Sequence, residues 1–144
     1  AFPKARVMRV IVDTNILLSA LINPHGLPAQ LIDAWRGARF QLVTSQDQLL
    51  ELGEVARRPA LRKYIVPAHV GRFINDLREL AEVIVRLPHV DRSRDPADNF
   101  LLAMAQASNA EYLVSGDKRD VLALKSHGST HIVTTRRMLS ILDL

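Results

Sequence analysis

Short apolar runs rich in β-branched residues alternate with longer amphipathic stretches along the whole chain, and this alternation most narrows the fold. The first run, Met8–Val12 (MRVIV), is too short for a buried helix and is closed by Asp13, so it reads as a strand. Further strands are expected at Phe40–Val43, Val83–Leu87, Tyr112–Ser115 and His131–Thr134. Between them, helices are expected over Asn15–Ile22 and Pro28–Arg36, split by the turn-forming NPHG at 23–26, and from Ser45, an N-cap, to about Arg57. Pro67 opens another helix, whose Val70, Phe73, Ile74, Leu77, Leu80 and Ala81 share one face. Asp95-Pro96 opens Ala97–Ser108, and Val121–Leu124 and Thr135–Leu142 complete the set. Strands alternating with helices predict a three-layer α/β/α domain with a mainly parallel central sheet.

The 144 residues fit one such domain, expected over 8–144, with residues 1–7 an N-terminal extension ahead of Met8. No apolar run approaches the roughly 20 residues of a membrane span, and the N-terminus lacks the apolar stretch of a secretory signal. The absence of cysteine excludes disulfides and thiolate metal sites and suits a reducing cytoplasm. The net charge of +4 favours an anionic partner, nucleic acid first.

In parallel sheets functional groups gather beyond the carboxyl ends of the strands. Here the residues at those ends are acids. Asp13 follows the first strand in V-D-T-N, and Asp117 follows a later one in L-V-S-G-D. Asp98 lies in the first turn of the helix begun by D-P-A-D-N, and Glu51 lies in L-L-E-L on the helix after the second strand. Four carboxylates in one small space take up protons or hold a hard cation. Mg²⁺ or Mn²⁺ fits oxygen ligands and leaves room for a substrate phosphate, so phosphodiester hydrolysis is the chemistry to expect. Each residue also has a purely structural reading. Asp13 and Asp95 can be helix caps, Asp98 a dipole-favoured acid, Glu51 a solvated one and Asp117 a turn former; Asp120 reads as a cap for the short helix. The basic tract at 57–64, with Arg57, Arg58, Arg62 and Lys63, is a solvated loop or a phosphate-contacting arm, and Arg92, Arg94, Lys118 and Arg119 flank the acids. The five histidines show no metal-type spacing and read as surface or loop residues, while Trp35 reads as core or as a dimer contact.

IVDTNILLSAL, the acid of LLEL, DPADNFLLAMA and AEYLVSGDK together resemble the PIN-domain nucleases, above all the VapC-like (PilT N-terminus) toxins of toxin–antitoxin pairs. The similarity runs from about Met8 to Leu142. It implies Mg²⁺- or Mn²⁺-dependent cleavage of RNA, a homodimer, and an antitoxin that covers or distorts the site. It also implies that Asp13, Glu51, Asp98 and Asp117 are catalytic, that Asp13, Asp98 and Asp117 hold the metal, and that Asn15 and Ser115 orient them, with Asp95 and Asp120 nearby. Many members carry a further acid two residues after the fourth-block Asp; here that position is Arg119, with Asp120 one later, so one firmly held ion is expected. Two rivals remain. A phosphatase of the haloacid dehalogenase type needs a second acid where this chain has Asn15, and no G-x-x-x-x-G-K loop for nucleotides exists. The other is a catalytically silent RNA- or partner-binding module that keeps the PIN-like fold.

Overall fold

A computed structural model of the chain describes residues 7–116 and 121–144. In chain order the elements are β1 (Arg9–Val12), α1 (Thr14–Ile22), α2 (Leu27–Arg36), β2 (Gln41–Ser45), α3 (Gln46–Ala56), α4 (Pro67–Leu80), β3 (Glu82–Ile84), α5 (Pro96–Ser108), β4 (Tyr112–Val114), β5 (Ser126–His127), β6 (Thr130–Val133) and α6 (Thr135–Ile141). Single 3₁₀ turns occupy Pro59–Leu61 and Leu122–Leu124. The six strands form one sheet in the order β3-β2-β1-β4-β6-β5. Every pairing is parallel except that of β5 with β6.

Alternation along β1 divides the core. Val10 and Val12 face a large cluster with the inner faces of α1, α2, α3, α4 and α6. Ile11 points the other way, and its register partners Val43 and Leu113 join it under Leu101, Leu102 and Met104 of α5. A strand buried on both faces needs the unbroken apolar run that MRVIV supplies. The result is the expected α/β/α sandwich, with Trp35 buried in its larger cluster.

Three local expectations shift. The third strand lies at Glu82–Ile84 instead of Val83–Leu87, because it is an edge strand that ends where register with Ser45 ends, leaving Val85 71% exposed. The helix expected at 121–124 is a single 3₁₀ turn. A two-residue strand, β5, precedes the last parallel one in a hairpin whose turn holds Gly128 at φ +57°, a backbone conformation that glycine adopts without penalty. Among the described residues, no helix is long and apolar enough to cross a membrane.

The sheet order sets the crevice. From β1 the chain moves outward through β2 to β3, then returns across the opposite face through α5 to β4 on the other side of β1. Connections leaving the carboxyl ends of β1 and β4 therefore diverge, which is where parallel sheets hold their ligands.

Candidate active site

Asp13 stands at that switch point. Its backbone N–H donates to the Val114 carbonyl at 2.9 Å, so it still belongs to the β1–β4 ladder. Its side chain caps α1, with Oδ1 accepting from the Asn15 N–H at 3.1 Å, while Oδ2 accepts from the Ser115 hydroxyl at 3.2 Å. Ser115, fully buried at the end of β4, thus fixes the acid from the neighbouring strand. Asn15 makes its contact through the backbone.

Glu51 approaches from α3. Its Oε2 accepts from the Thr14 hydroxyl at 3.4 Å. Burial pushes the Glu51 carboxyl above its ordinary value of 4.5; the Thr14 hydrogen bond opposes this, the charge of Asp13 adds to it, Arg58 opposes and Glu54 adds. One turn earlier, fully buried Gln48 explains why α3 sits where it does. Its amide donates to the Val12 carbonyl at 2.8 Å and to Thr14 Oγ1 at 3.4 Å, and its oxygen accepts from the Thr44 hydroxyl at 2.7 Å. The residue before Asp13 is thereby tied to the helix that carries Glu51.

Asp98 is buried in the first turn of α5 and accepts from the Ser93 hydroxyl at 3.0 Å. Asn99 holds the loop that delivers this serine: Oδ1 accepts from the N–H groups of Arg92 (3.0 Å) and Ser93 (2.7 Å), and the amide donates to the Ser93 carbonyl at 2.9 Å. Asp95 is the N-cap of α5, accepting from the Ala97 N–H at 2.9 Å. Asp13, Thr14, Asn15, Glu51, Asp95 and Asp98 line a single cavity of about 90 Å³. Acids from three elements, distant in sequence, therefore share one recess. Asp117, Lys118, Arg119 and Asp120 lie outside the described residues.

The donors are all hard oxygens. Among the described residues, no three His, Cys, Asp or Glu side chains converge closely enough to enclose one ion by themselves. A cavity of this size with carboxylates on its walls fits an ion that keeps part of its water shell, as Mg²⁺ does when one or two carboxylates hold it.

The basic residues separate. Arg58 lies close enough to Glu51 to favour its ionised form. Lys63 is exposed, whereas Arg57 and Arg62 line a different cavity, between α3 and α4. Arg92 donates to the Ser126 carbonyl at 2.7 Å and lies 3.0 Å from His127 Nδ1. An arginine only donates, so Nδ1 is the acceptor and Nε2 carries the proton toward Gln106 Oε1 at 3.2 Å. Burial, and then the Arg92 charge, push the His127 pKa below its ordinary 6.5. His127, half-exposed beside the hairpin turn, is thus part of a buttress between the Ser93 loop and the β5–β6 hairpin.

Sequence reasoning passed over Thr14, Gln48, Ser93 and Asn99. Thr14 and Asn99 sit inside the blocks VDTN and DPADN beside the acids they support, and Gln48 lies three residues before Glu51 on one helix; Ser93 carries no such signal.

A parallel sheet with carboxylates gathered at its switch point defines an acidic-site α/β domain, and the comparisons place it. Residues 9–119 match the PIN domain family, and the chain belongs to that family, whose members are generally metal-dependent nucleases. An uncharacterized protein of Methanocaldococcus jannaschii, MJ1680, is 33% identical over 121 residues, spanning 82% of this chain and 76% of its own length. The crystal structure of PAE2754 from Pyrobaculum aerophilum superposes with a TM-score of 0.64 at 18% identity, over 95% of this chain and 90% of that one, a likeness of fold.

Proposed function

We propose that this PIN domain is a Mg²⁺- or Mn²⁺-dependent endoribonuclease. In this reading Asp13, Asp98 and Asp117 hold the ion directly or through water, and Glu51 orients the attacking water. When bound, such an ion would polarise a phosphoryl oxygen and lower the pKa of its water. Ser115 and the capping Asn15 N–H keep Asp13 aimed at the recess, while Thr14 does so for Glu51 and Ser93 for Asp98. Water attacks phosphorus in line and leaves 3′-hydroxyl and 5′-phosphate ends. Arg58, Lys63, Lys118 and Arg119 serve as cations for the RNA backbone. The observation that carries the reading is the shared recess of Asp13, Glu51 and Asp98, with Asp13 close enough to raise the Glu51 pKa.

The same reading extends to biology: a toxin of a toxin–antitoxin pair, working as a homodimer in the cytoplasm and restrained by an antitoxin. The small antitoxin gene expected beside its own is the observation that bears on this role.

Asp13→Asn tests the chemistry. Asparagine caps a helix as well as aspartate does, and its oxygen still accepts a hydrogen bond, so the fold is kept. Metal-dependent RNA cleavage is expected to fall by at least about a hundredfold. Full activity in a well-purified variant would refute the assignment. Wild-type protein that binds Mn²⁺ without cutting RNA is instead the silent module.

A further inference from the structure

The cavity between α3 and α4 is unlike the acidic recess. It measures about 490 Å³, within the roughly 300–1,000 Å³ of ligand-holding clefts. Its walls are the aliphatic surfaces of Ala56, Ile65, Val70 and Ile74, and its only charged lining residues are Arg57 and Arg62. Both arginines are exposed, and neither makes an ion pair or a side-chain hydrogen bond among the described residues. Beside this lining Tyr64 is 61% and Val66 53% exposed. Gly71 opens the α4 wall, since a Cβ built there meets nothing within 4 Å.

Three occupants can be weighed. At 3.6 residues per turn, Gly53, Ala56 and Arg57 fall on one side of α3, and Glu51, Val55 and Arg58 fall on the other. On the exposed face of α3 Glu54, near Glu51, stands between the acidic recess and the cavity and repels phosphates, with Arg58 beside it. A nucleobase would also leave most of its polar edge unpaired against aliphatic walls. A second copy of this chain brings another net charge of +4 toward an arginine rim. An amphipathic segment with aliphatic anchors and acidic flanks meets every feature: the anchors lose no hydrogen bond in the cavity, and the acids pair with arginines that have no partner among the described residues.

We infer that the α3–α4 cavity is a docking site for an acidic amphipathic helix of another protein, with aliphatic anchors seated between Ala56 and Ile74 and acids on Arg57 and Arg62. The exposed Leu50, seven residues before Arg57 on nearly the same stripe of α3, extends the apolar edge by two turns, about 10 Å. This inference does not require the chain to be a nuclease, and it reassigns Arg57 and Arg62 from the RNA backbone to a protein partner.

The test is selection of a displayed random-peptide library on the full chain, followed by binding of the synthesised winners. Gly71→Trp plugs the cavity from open space, and its melting curve reports whether it folds. Winners are expected to carry Asp or Glu between Leu, Ile or Phe at helical spacing. Their affinity should drop at least about tenfold on Gly71→Trp and on Arg57→Glu/Arg62→Glu. Replacing their acids by Lys should restore binding to the charge-reversed variant. No enrichment over a Gly71→Trp control, winners without acids, or binding indifferent to both variants overturns the inference. So does light scattering that finds a dimer dissociated by Gly71→Trp, which makes the occupant a second copy. A single-stranded RNA displaced by the winners and lost on Gly71→Trp makes it nucleic acid. RNA cleavage by Gly71→Trp itself is measured in parallel: its presence or absence reports on the nuclease reading and leaves the peptide result to stand separately.

Discussion

Asp13 shows how a structural and a functional reading of one residue coexist. It ends a strand, caps a helix and still presents its carboxylate to the recess, because Ser115 and the Asn15 N–H hold its two oxygens apart from each other's tasks. Glu51 shows the electrical consequence. Its pKa is raised, so the folded protein binds a proton at Glu51 more tightly than the unfolded chain does. Between the ordinary value of 4.5 and the raised one, folding takes up a proton, and stability falls as pH rises through that window. Glu51→Gln, which cannot ionise, is expected to melt higher than the wild type at pH 7–8 in chelator, with the gap closing as pH falls toward 4.5; melting curves across pH check this. A second residue lies outside the site. Ala38 follows α2 at φ 61°, in the left-handed region, with its N–H on the Trp35 carbonyl and the Arg39 N–H on that of Ala34. Glycine is the usual residue at such a helix end, yet here Gly37 sits one position too early, at φ −80°. Ala38→Gly should raise the unfolding free energy by about 0.5–1 kcal/mol in denaturant titrations, the relief of left-handed strain less glycine's entropy. The acids at strand and helix ends were legible in the sequence because each stands where a pattern breaks. Ser93 was not, since its role depends on a loop that Asn99 folds back from six residues away.

At the scale of elements, legibility followed periodicity. α4 could be read because its apolar residues repeat at helical spacing over fourteen residues. β5 could not, because two residues carry no period, and its pairing with β6 rests on the Gly128 turn. β3 was misplaced because its inner register is set by β2, and nothing local distinguishes Ile84 from Val85. What binds elements into a site is also invisible to periodicity: Gln48 is a polar residue on the buried face of α3, and only its partners on β1, β2 and α1 explain it. Gln48→Leu keeps the volume but leaves the Val12 carbonyl and the Thr44 hydroxyl buried without this partner. It should cost about 1–3 kcal/mol in chemical unfolding. If the amide also aims Glu51, kcat for RNA cleavage should fall more than KM changes, whereas a purely structural role lowers stability and leaves the kcat of the folded fraction alone.

Over the whole molecule, two charge distributions oppose each other. The chain is basic, with a net charge of +4, yet its switch point gathers acids from β1, α3 and α5. The sandwich was foreseeable because parallel strands buried on both faces need helices on both sides and this chain has too few of them to close a barrel, and the gathering of the acids followed from where such strands end. Their spacing was not foreseeable: Asp13, Glu51, Asp95 and Asp98 share a recess, yet among the described residues they do not close into a cage. A site that gathers anions gives up stability until a cation arrives, so divalent ions should bind the folded chain and not the unfolded one. At a hundredfold excess over its Kd, such an ion adds about 2.7 kcal/mol of unfolding free energy. Mg²⁺ or Mn²⁺ should therefore raise the melting temperature of the wild type by several degrees, with Ca²⁺ or matched ionic strength from NaCl as controls. Asp13→Asn should lose most of that shift while keeping its cap, and its melting point in chelator should not fall below that of the wild type. Equal shifts in the two proteins would mean that the ions act elsewhere on the surface, and that the acidic recess is not where this PIN domain holds its metal.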